Sequence, residues 1–404
     1  MTSEPESNPL ARGAKILFVC DSIGSNLGPP KPKYGEPWTN GVSNMVRYII
    51  DELRGNYKIF VLHPYMQDGN SDVFKRFTLP RYPQVELAIP NPFRTWKIIR
   101  NFEPDAIFII TPDGPLGRTA KLLCHFPGSR FTKNGRTIPY VLAYTTNLDD
   151  YLSLYISHHT GGLIKFPSKT FHSLYKLTFR GANKVLVPTR KYQVKLHLMG
   201  IDKTAILPRG VASVLFRPIQ TTDRNPYYQY TWFRKNPLPI YLYHGRVSLL
   251  KGIENFLSLH TPCAYKVVIG EGPYRKTLER KFIGSSVRFL GARYDEELAA
   301  HIRFADLSFF PSKTDTWGQA ITEAGASGIP VIAYDTPGPG EIIIPGITGV
   351  LIQPDSSLGE GIHEGIRMNR ELCAQTVVAR YSWKQTARTF INNLPRIAWK
   401  SHQS

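Results

Sequence analysis

The chain has 404 residues, 42% of them hydrophobic and 12% aromatic, enough for more than one buried core, so two domains are expected. Its 50 Lys and Arg against 31 Asp and Glu give a formal net charge of +19, which suits an anionic partner: nucleic acid, a membrane surface or a phosphorylated ligand. There is no low-complexity tract, and no apolar run nears the roughly 20 residues of a membrane helix. The polar, acidic start, Met1 to Gly13, does not read as a secretory leader. Cys20, Cys124, Cys263 and Cys373 are scattered, which fits reduced thiols in a cytoplasmic protein.

Short apolar runs recur along the chain. In the first half they are Lys15–Cys20, Lys58–Leu62, Asp105–Ile110, Ile138–Tyr144 and Lys184–Val187. In the second they are Ile240–Tyr243, Tyr265–Ile269, Val287–Leu290, Leu307–Phe310, Ile329–Tyr334 and Gly349–Ile352. Rich in Val, Ile and aromatics and separated by helix-like segments, they read as strands of parallel sheets buried on both faces. The expected fold class is α/β, two Rossmann-like domains in tandem. Residues 1–216 form the first and 240–380 the second. Arg217 to Pro239, with its four prolines, reads as the linker between them. Residues 381–404 read as a basic, Trp-bearing helical segment that packs back on the first domain.

Several chemistries have no sequence support. No Gly-x-Gly-x-x-Gly follows the first strand, and there is no P-loop, His-Glu-x-x-His, paired-Cys zinc spacing or Gly-x-Ser-x-Gly elbow. Nor does any Asp-x-Asp occur to hold a divalent metal against a diphosphate. A site that stabilises phosphate charge must then use cations and helix ends.

Such groups converge in the second half. Three strands run directly into glycine, at Gly245, Gly270 and Gly291, where ligands of open parallel sheets bind. After the first of these strands, Gly245 to Gly252 places Arg246 and Lys251 in one loop, a fork and a mobile point charge for phosphate oxygens. At the same sheet edge, Gly318 to Ser327 reads as a helix, with Asp315 or Thr316 as N-cap and Gly328 as its stop. Its N-terminus suits an anion, and Gly318 permits close approach. Glu323 lies eight residues beyond Asp315, which if all helical is about 12 Å along the axis. That matches the reach from a sugar across a diphosphate to a ribose. Asp315 as a plain cap and Glu323 as a solvated residue is the ordinary alternative for either acid alone.

Residues 240–355 resemble the retaining GT-B glycosyltransferases of family 4 (group 1). The match lies in Gly245-Arg246 with Lys251-Gly252, Ile269 to Pro273, Phe289-Leu290-Gly291, and the block from Asp315 through Glu323 to Gly328, Pro330 and Val331. The first half is similar more loosely, at Asn40-Gly41-Val42, Pro104-Asp105 and Leu207 to Val211. The resemblance implies that Arg246 and Lys251 hold the donor diphosphate, Glu323 the ribose and Asp315 the transferred sugar. Gly245, Gly270, Trp317, Gly318 and Gln319 are expected to complete the nucleotide-sugar site. Gly41 would let the first domain close over the phosphates. It also implies front-face substitution without a bound metal, in keeping with the missing Asp-x-Asp. Two positions depart from the family: Asp315 stands where Glu is usual, and Thr145 where a His near the donor sugar is common.

Acceptor candidates in the first half are Trp38, Thr145, Asp149 and Tyr151. Between Tyr151 and Lys203 nine Lys and Arg meet a single acid, Asp202, and Ser168–Arg180 is amphipathic. Ser168–Arg180 is read by default as a core-facing helix, and the basic excess over 165–203 points to peripheral docking on an anionic membrane. The resulting expectation is a metal-independent hexosyltransferase. Its donor is GDP-mannose or a UDP-hexose such as UDP-glucose, and its acceptor a glycan, a protein-linked glycan or a lipid. A nucleotide-sugar-binding protein with little transfer activity is one alternative. A basic nucleic-acid-binding protein is another, but it leaves the Arg246, Lys251, Asp315 and Glu323 arrangement unexplained, so no nucleic acid is expected.

Overall fold

A computed structural model describes residues 10–21, 41–68, 71–79, 82–125, 132–133, 136–145, 147 and 168–394. The chain divides into two compact units, Met1–Thr145 with Pro167–Leu207 and Trp383–Ser404, and Thr146–Phe166 with Pro208–Ser382.

The first unit is built on six parallel strands, β1 (Lys15–Val19), β2 (Lys58–Leu62), β3 (Ala106–Ile109), β4 (Tyr140–Ala143), β5 (Lys184–Val187) and β6 (Thr204–Ile206). Their spatial order is β6-β5-β4-β3-β1-β2. The central strands β3 and β4 are buried at every position, as uninterrupted apolar runs covered on both faces must be. Helices α1 (Gly41–Leu53), α2 (Pro92–Phe102), α3 (Pro115–His125), α4 (Ser168–Phe179) and α5 (Arg190–Leu198) connect them. Helix α1 buries Met45, Val46, Ile49, Ile50 and Leu53, the spacing of one helical face. The C-terminal helix Trp383–Asn393 belongs to this unit. Trp383 stacks on Tyr48 at 4.9 Å, and Phe390 lies 5.5 Å from Phe18 and 4.7 Å from Phe108.

At the carboxyl end of β1, the buried Asp21 carboxylate accepts from the amides of Leu116 (2.9 Å) and Gly117 (3.0 Å) and from the Thr111 hydroxyl (3.1 Å). It therefore satisfies the free N–H groups that start α3. Burial raises the Asp21 pKa, against the lowering effect of those hydrogen bonds.

The second unit repeats the plan with β7 (Ile240–His244), β8 (Tyr265–Ile269), β9 (Val287–Gly291), β10 (Leu307–Phe310), β11 (Val331–Tyr334) and β12 (Gly349–Ile352). The parallel order is β9-β8-β7-β10-β11-β12. Helices α6 (Ile253–Leu257), α7 (Arg275–Lys281), α8 (Asp295–Arg303), α9 (Gln319–Ala326), α10 (Pro339–Ile342) and α11 (Arg370–Arg380) link and cover the strands. Chain direction across the sheet reverses between β7 and β10. That is the switch point of a doubly wound sheet, where the loops diverge and leave a crevice beyond the strand ends.

Residues 217–239, expected as a linker, instead fold into the second unit, as part of its stretch Pro208–Ser382. Tyr227 and Phe233 are buried in its core, and the Tyr227 hydroxyl donates to the His301 carbonyl at 2.9 Å. Arg217 grips Asp223 through two bonds of 2.8 and 2.9 Å. The prolines do break the helices and strands, but the five aromatics from Tyr227 to Phe233 carry too much apolar surface for all of them to stay in solvent. Among the strands that had no sequence signal are β6 and the hairpin pair Lys75–Leu79 and Tyr82–Ile89.

Candidate functional site

Alternation along β7 sorts its side chains. Ile240 and Leu242 join the core that holds Ile321 and Ala324 of α9, whereas Tyr241 and Tyr243 join the core on the other face. His244, two residues beyond Leu242, therefore points to the α9 side. The chain then turns at Gly245, in the left-handed region with φ 134°, and the Tyr243 hydroxyl donates to the Arg246 carbonyl at 2.7 Å, tying the turn back to the strand. The loops after β7, β8 and β9 are bonded to one another: Val247 N donates to Glu271 O at 2.8 Å and Gly270 N to Gly291 O at 2.9 Å. A Cβ on Gly270 would run into the Gly245 carbonyl, so glycine there serves backbone packing beneath the crevice.

Lys251 ends the single turn Leu249–Lys251, stopped by Gly252. Its Nζ lies 2.6 Å from Asp315 Oδ1 and 2.7 Å from Oδ2. Asp315 arrives from the loop after β10, on the other side of the switch point. Asp315 does not cap α9, contrary to expectation. Gly318 is the cap residue at φ 106°, no side chain caps it, and α9 runs from Gln319 to Ala326. The Asp315 carboxylate is held by Lys251, which outcompetes a neutral backbone amide. Because residues 315–318 are not helical, the axial separation computed for a continuous helix does not apply.

Glu323 is the only charged residue of α9, and its side chain is 14% exposed. Among the described residues its carboxylate has one partner, His244, whose Nε2 lies 3.2 Å from Glu323 Oε2. Arg246 is half-buried, and among the described residues no carboxylate is in ion-pair reach of its guanidinium. Gln319 donates through Nε2 to the Gly210 carbonyl at 2.9 Å, pinning residues 208–211 beside the start of α9. Trp317, expected at the donor site, is instead buried with its ring edge-on to Tyr381 at 5.4 Å. Its indole is a core side chain, and only its backbone can reach a ligand.

Two groups escaped the sequence reading. One is His244, a lone histidine at the end of β7 that belongs to no motif and whose contact with Glu323 depends on the fold. Arg209 is buried in the second unit; burial lowers its pKa to about 10, and the Asp315 charge opposes that shift. Its position in Leu207-Pro208-Arg209-Gly210-Val211, just after β6, was the available signal. Gly41 opens α1 in the first unit, and the Thr145 hydroxyl there donates to the Ile110 carbonyl at 3.3 Å. Trp38, Asp149 and Tyr151 lie outside the described residues. Among the described residues no cluster of three or more His, Cys, Asp or Glu is placed to hold a metal ion, and no helix is long and apolar enough to cross a membrane.

Two Rossmann-like parallel-sheet units, with cations and carboxylates at the second unit's switch point, define a GT-B glycosyltransferase. Residues 39–213 match the family model described as Glycosyltransferase Family 4, and residues 231–382 match that of Glycosyl transferases group 1. The chain belongs to this family. A GDP-mannose-dependent alpha-mannosyltransferase of Mycobacterium tuberculosis is 26% identical over 368 residues, 86% of this chain and 90% of that protein. Sulfoquinovosyl transferase SQD2 of Arabidopsis thaliana is 26% identical over 400 residues, 90% of this chain and 71% of that protein. Among solved structures, sucrose-phosphate synthase from Thermosynechococcus elongatus has the same fold. Its TM-score is 0.71 at 18% identity, covering 93% of this chain and 97% of that one.

Proposed function

We propose that this glycosyltransferase is retaining and moves a hexose, mannose in the first instance, from a nucleoside-diphosphate sugar to a glycan, protein-linked glycan or lipid acceptor. The observation that carries the reading is the meeting of Lys251 with Asp315 at the switch point, with Arg246 and Glu323 in the same unit. Lys251 has three N–H donors. Two face the Asp315 oxygens, which leaves one for a phosphate oxygen, so this ammonium can bridge the sugar-binding carboxylate and the diphosphate. Arg246 supplies a second cation, and the first turn of α9 adds unpaired backbone N–H groups. Glu323 takes the ribose hydroxyls.

In the reaction the bond from the anomeric carbon to the diphosphate oxygen breaks, and the acceptor oxygen attacks from the same face. The acceptor proton passes to the leaving phosphate. Negative charge grows on that phosphate in the transition state, where Arg246 and Lys251 are already in place to stabilise it. Mannose from GDP is favoured because the Thr314-to-Gly318 stretch resembles mannosyltransferases and because the mycobacterial relative is named for that donor. UDP-glucose is the alternative donor.

Calorimetric titration with GDP- and UDP-sugars, on wild type and Lys251→Ala, tests the site. Binding of one donor, weakened at least about tenfold by the substitution, is expected. A protein that binds neither, or a variant that binds equally well, overturns the assignment. An NMR measurement of the product's anomeric configuration decides retention.

The lipid-acceptor branch of this reading includes docking on an anionic bilayer. Leu177 of α4 and Leu198 of α5 are 70% and 84% exposed, and the exposed Lys176, Arg180, Arg190, Lys191 and Lys203 belong to the same stretch. Tyr175 and Thr178, on the expected inner face of α4, are buried. Apolar tips among cations fit an anionic headgroup layer. Flotation with anionic and neutral liposomes checks this, with salt-sensitive binding to the anionic ones expected.

A further inference from the structure

The pairing of His244 with Glu323 has no role in the fold that its chemistry would require. The interior of α9 is otherwise uncharged, and a partly buried carboxylate there costs free energy unless it is hydrogen-bonded. An apolar or amide side chain at position 323 would avoid that cost. His244 is 4% exposed and reaches only Oε2 of the acid; its Nδ1 is buried without a partner among the described residues. The ring is thus committed to one contact through Nε2, which carries the proton that Oε2 accepts. With Oε2 fixed by a side chain rooted at the end of β7, the other oxygen, Oε1, is held in one orientation. The carboxylate's residual exposure marks it as the part of the pair that a ligand can touch.

We propose that His244 is a positioning residue for ribose recognition: it locks the Glu323 carboxylate so that Oε1 accepts from a hydroxyl of the donor's ribose. This rests on the donor-site reading above and goes beyond it by assigning discrimination between ribose and deoxyribose to a residue that does not itself touch the nucleotide. A freely rotating carboxylate would lose rotamer entropy on engaging the sugar, whereas a preset one does not. The ligand class is a ribonucleoside diphosphate, and the 2′-deoxy form loses the hydroxyl that Oε1 accepts from.

Competition of GDP against 2′-deoxy-GDP, and of UDP against 2′-deoxy-UDP, on wild type, His244→Ala, His244→Gln and Glu323→Gln decides this. Wild type is expected to prefer the ribo form by about tenfold or more, the worth of one hydrogen bond to a charged group. His244→Ala should bring the ratio close to one while binding the deoxy form nearly as well as wild type, which also shows that the variant folds. His244→Gln, whose side-chain amide can donate from about the Nε2 position, should restore most of the preference. A His244→Ala protein that keeps the full preference overturns the inference and leaves the donor site standing. A wild type that binds no nucleoside diphosphate overturns both.

Discussion

Lys251 Nζ meets both carboxylate oxygens of Asp315, at 2.6 and 2.7 Å, although the two residues come from loops on opposite sides of the β7–β10 switch point. Both side chains are about a quarter exposed, so the pair is open to a ligand and screened less than a surface ion pair. A cation poised in this way is oriented before any donor arrives, and the cost of ordering its flexible stem is not charged to binding.

Asp315→Asn separates the two roles of that pair. It frees Lys251 from its counter-charge while nearly preserving shape. Nucleoside-diphosphate affinity should stay within about threefold of wild type or improve. Turnover should fall about 100-fold, the usual size of a lost charged contact to the reacting group. Steady-state kinetics with calorimetry on the same preparation measure both. Equal losses in binding and turnover would mean that Asp315 serves only to orient Lys251 toward the phosphates and does not contact the sugar.

Gly270→Ala tests the ground beneath the crevice. The new Cβ must displace the Gly245 carbonyl, and φ there is 145°, a region that L side chains rarely adopt. A loss of about 2–4 kcal/mol is expected by urea unfolding. Donor affinity should fall with it, because Gly245 carries Arg246. Gly284→Ala, in open space at φ 75°, is the control and should cost about 1 kcal/mol.

Strands were legible where both faces are buried. The bounds of Tyr265–Ile269 are legible because four of its five residues are apolar or aromatic, as suits a central parallel strand, and the exception, Lys266, is buried with its ammonium donating to the Leu257 and Leu259 carbonyls. Thr204–Ile206 was missed because an edge strand of three residues needs no such run. The hairpin strands Lys75–Leu79 and Tyr82–Ile89 carry charges and a proline, which hide a strand pattern. The same logic governs the site. Arg246, Lys251, Asp315 and Glu323 stand out in the sequence as site candidates because they flank recognisable strand ends and glycines. His244 was not, because its contact with Glu323 spans 79 positions, and only the order of β7 and β10 in the sheet brings the two together. Trp317 misled for the opposite reason: its neighbours mark a site, but the indole itself turns into the core.

Asp21→Ala should destabilise the first unit by about 2–4 kcal/mol. It leaves the Leu116 and Gly117 amides and the Thr111 hydroxyl without their shared acceptor at the start of α3. Asp21→Asn keeps one carbonyl oxygen and should recover roughly half. Chemical denaturation followed by fluorescence in a background that keeps Trp383 as its single tryptophan, which reports from the same unit, measures the difference. An Ala variant as stable as wild type would show that solvent can cap this helix unaided.

Acid should weaken the fold through buried histidines. Burial lowers the His63 pKa from its ordinary 6.5 to about 4, and His63 Nδ1 accepts from the Tyr65 amide at 3.2 Å, which a proton there would prevent. Above pH 6.5 the ring is neutral in both states and stability is at its full value. Between pH 6.5 and about 4 the unfolded chain binds a proton that the folded one refuses, so stability falls as pH falls, by at most about 1.4 kcal/mol per pH unit. Below about 4 both states are protonated and this group adds no further loss. Buried His301, whose pKa is lowered mainly by burial, acts in the same direction in the second unit. His63→Asn keeps a side-chain acceptor but does not titrate, so its urea midpoint should drop less than that of wild type between pH 7 and pH 4.5. Parallel midpoints for the two proteins across that range would remove His63 as a source of the acid sensitivity.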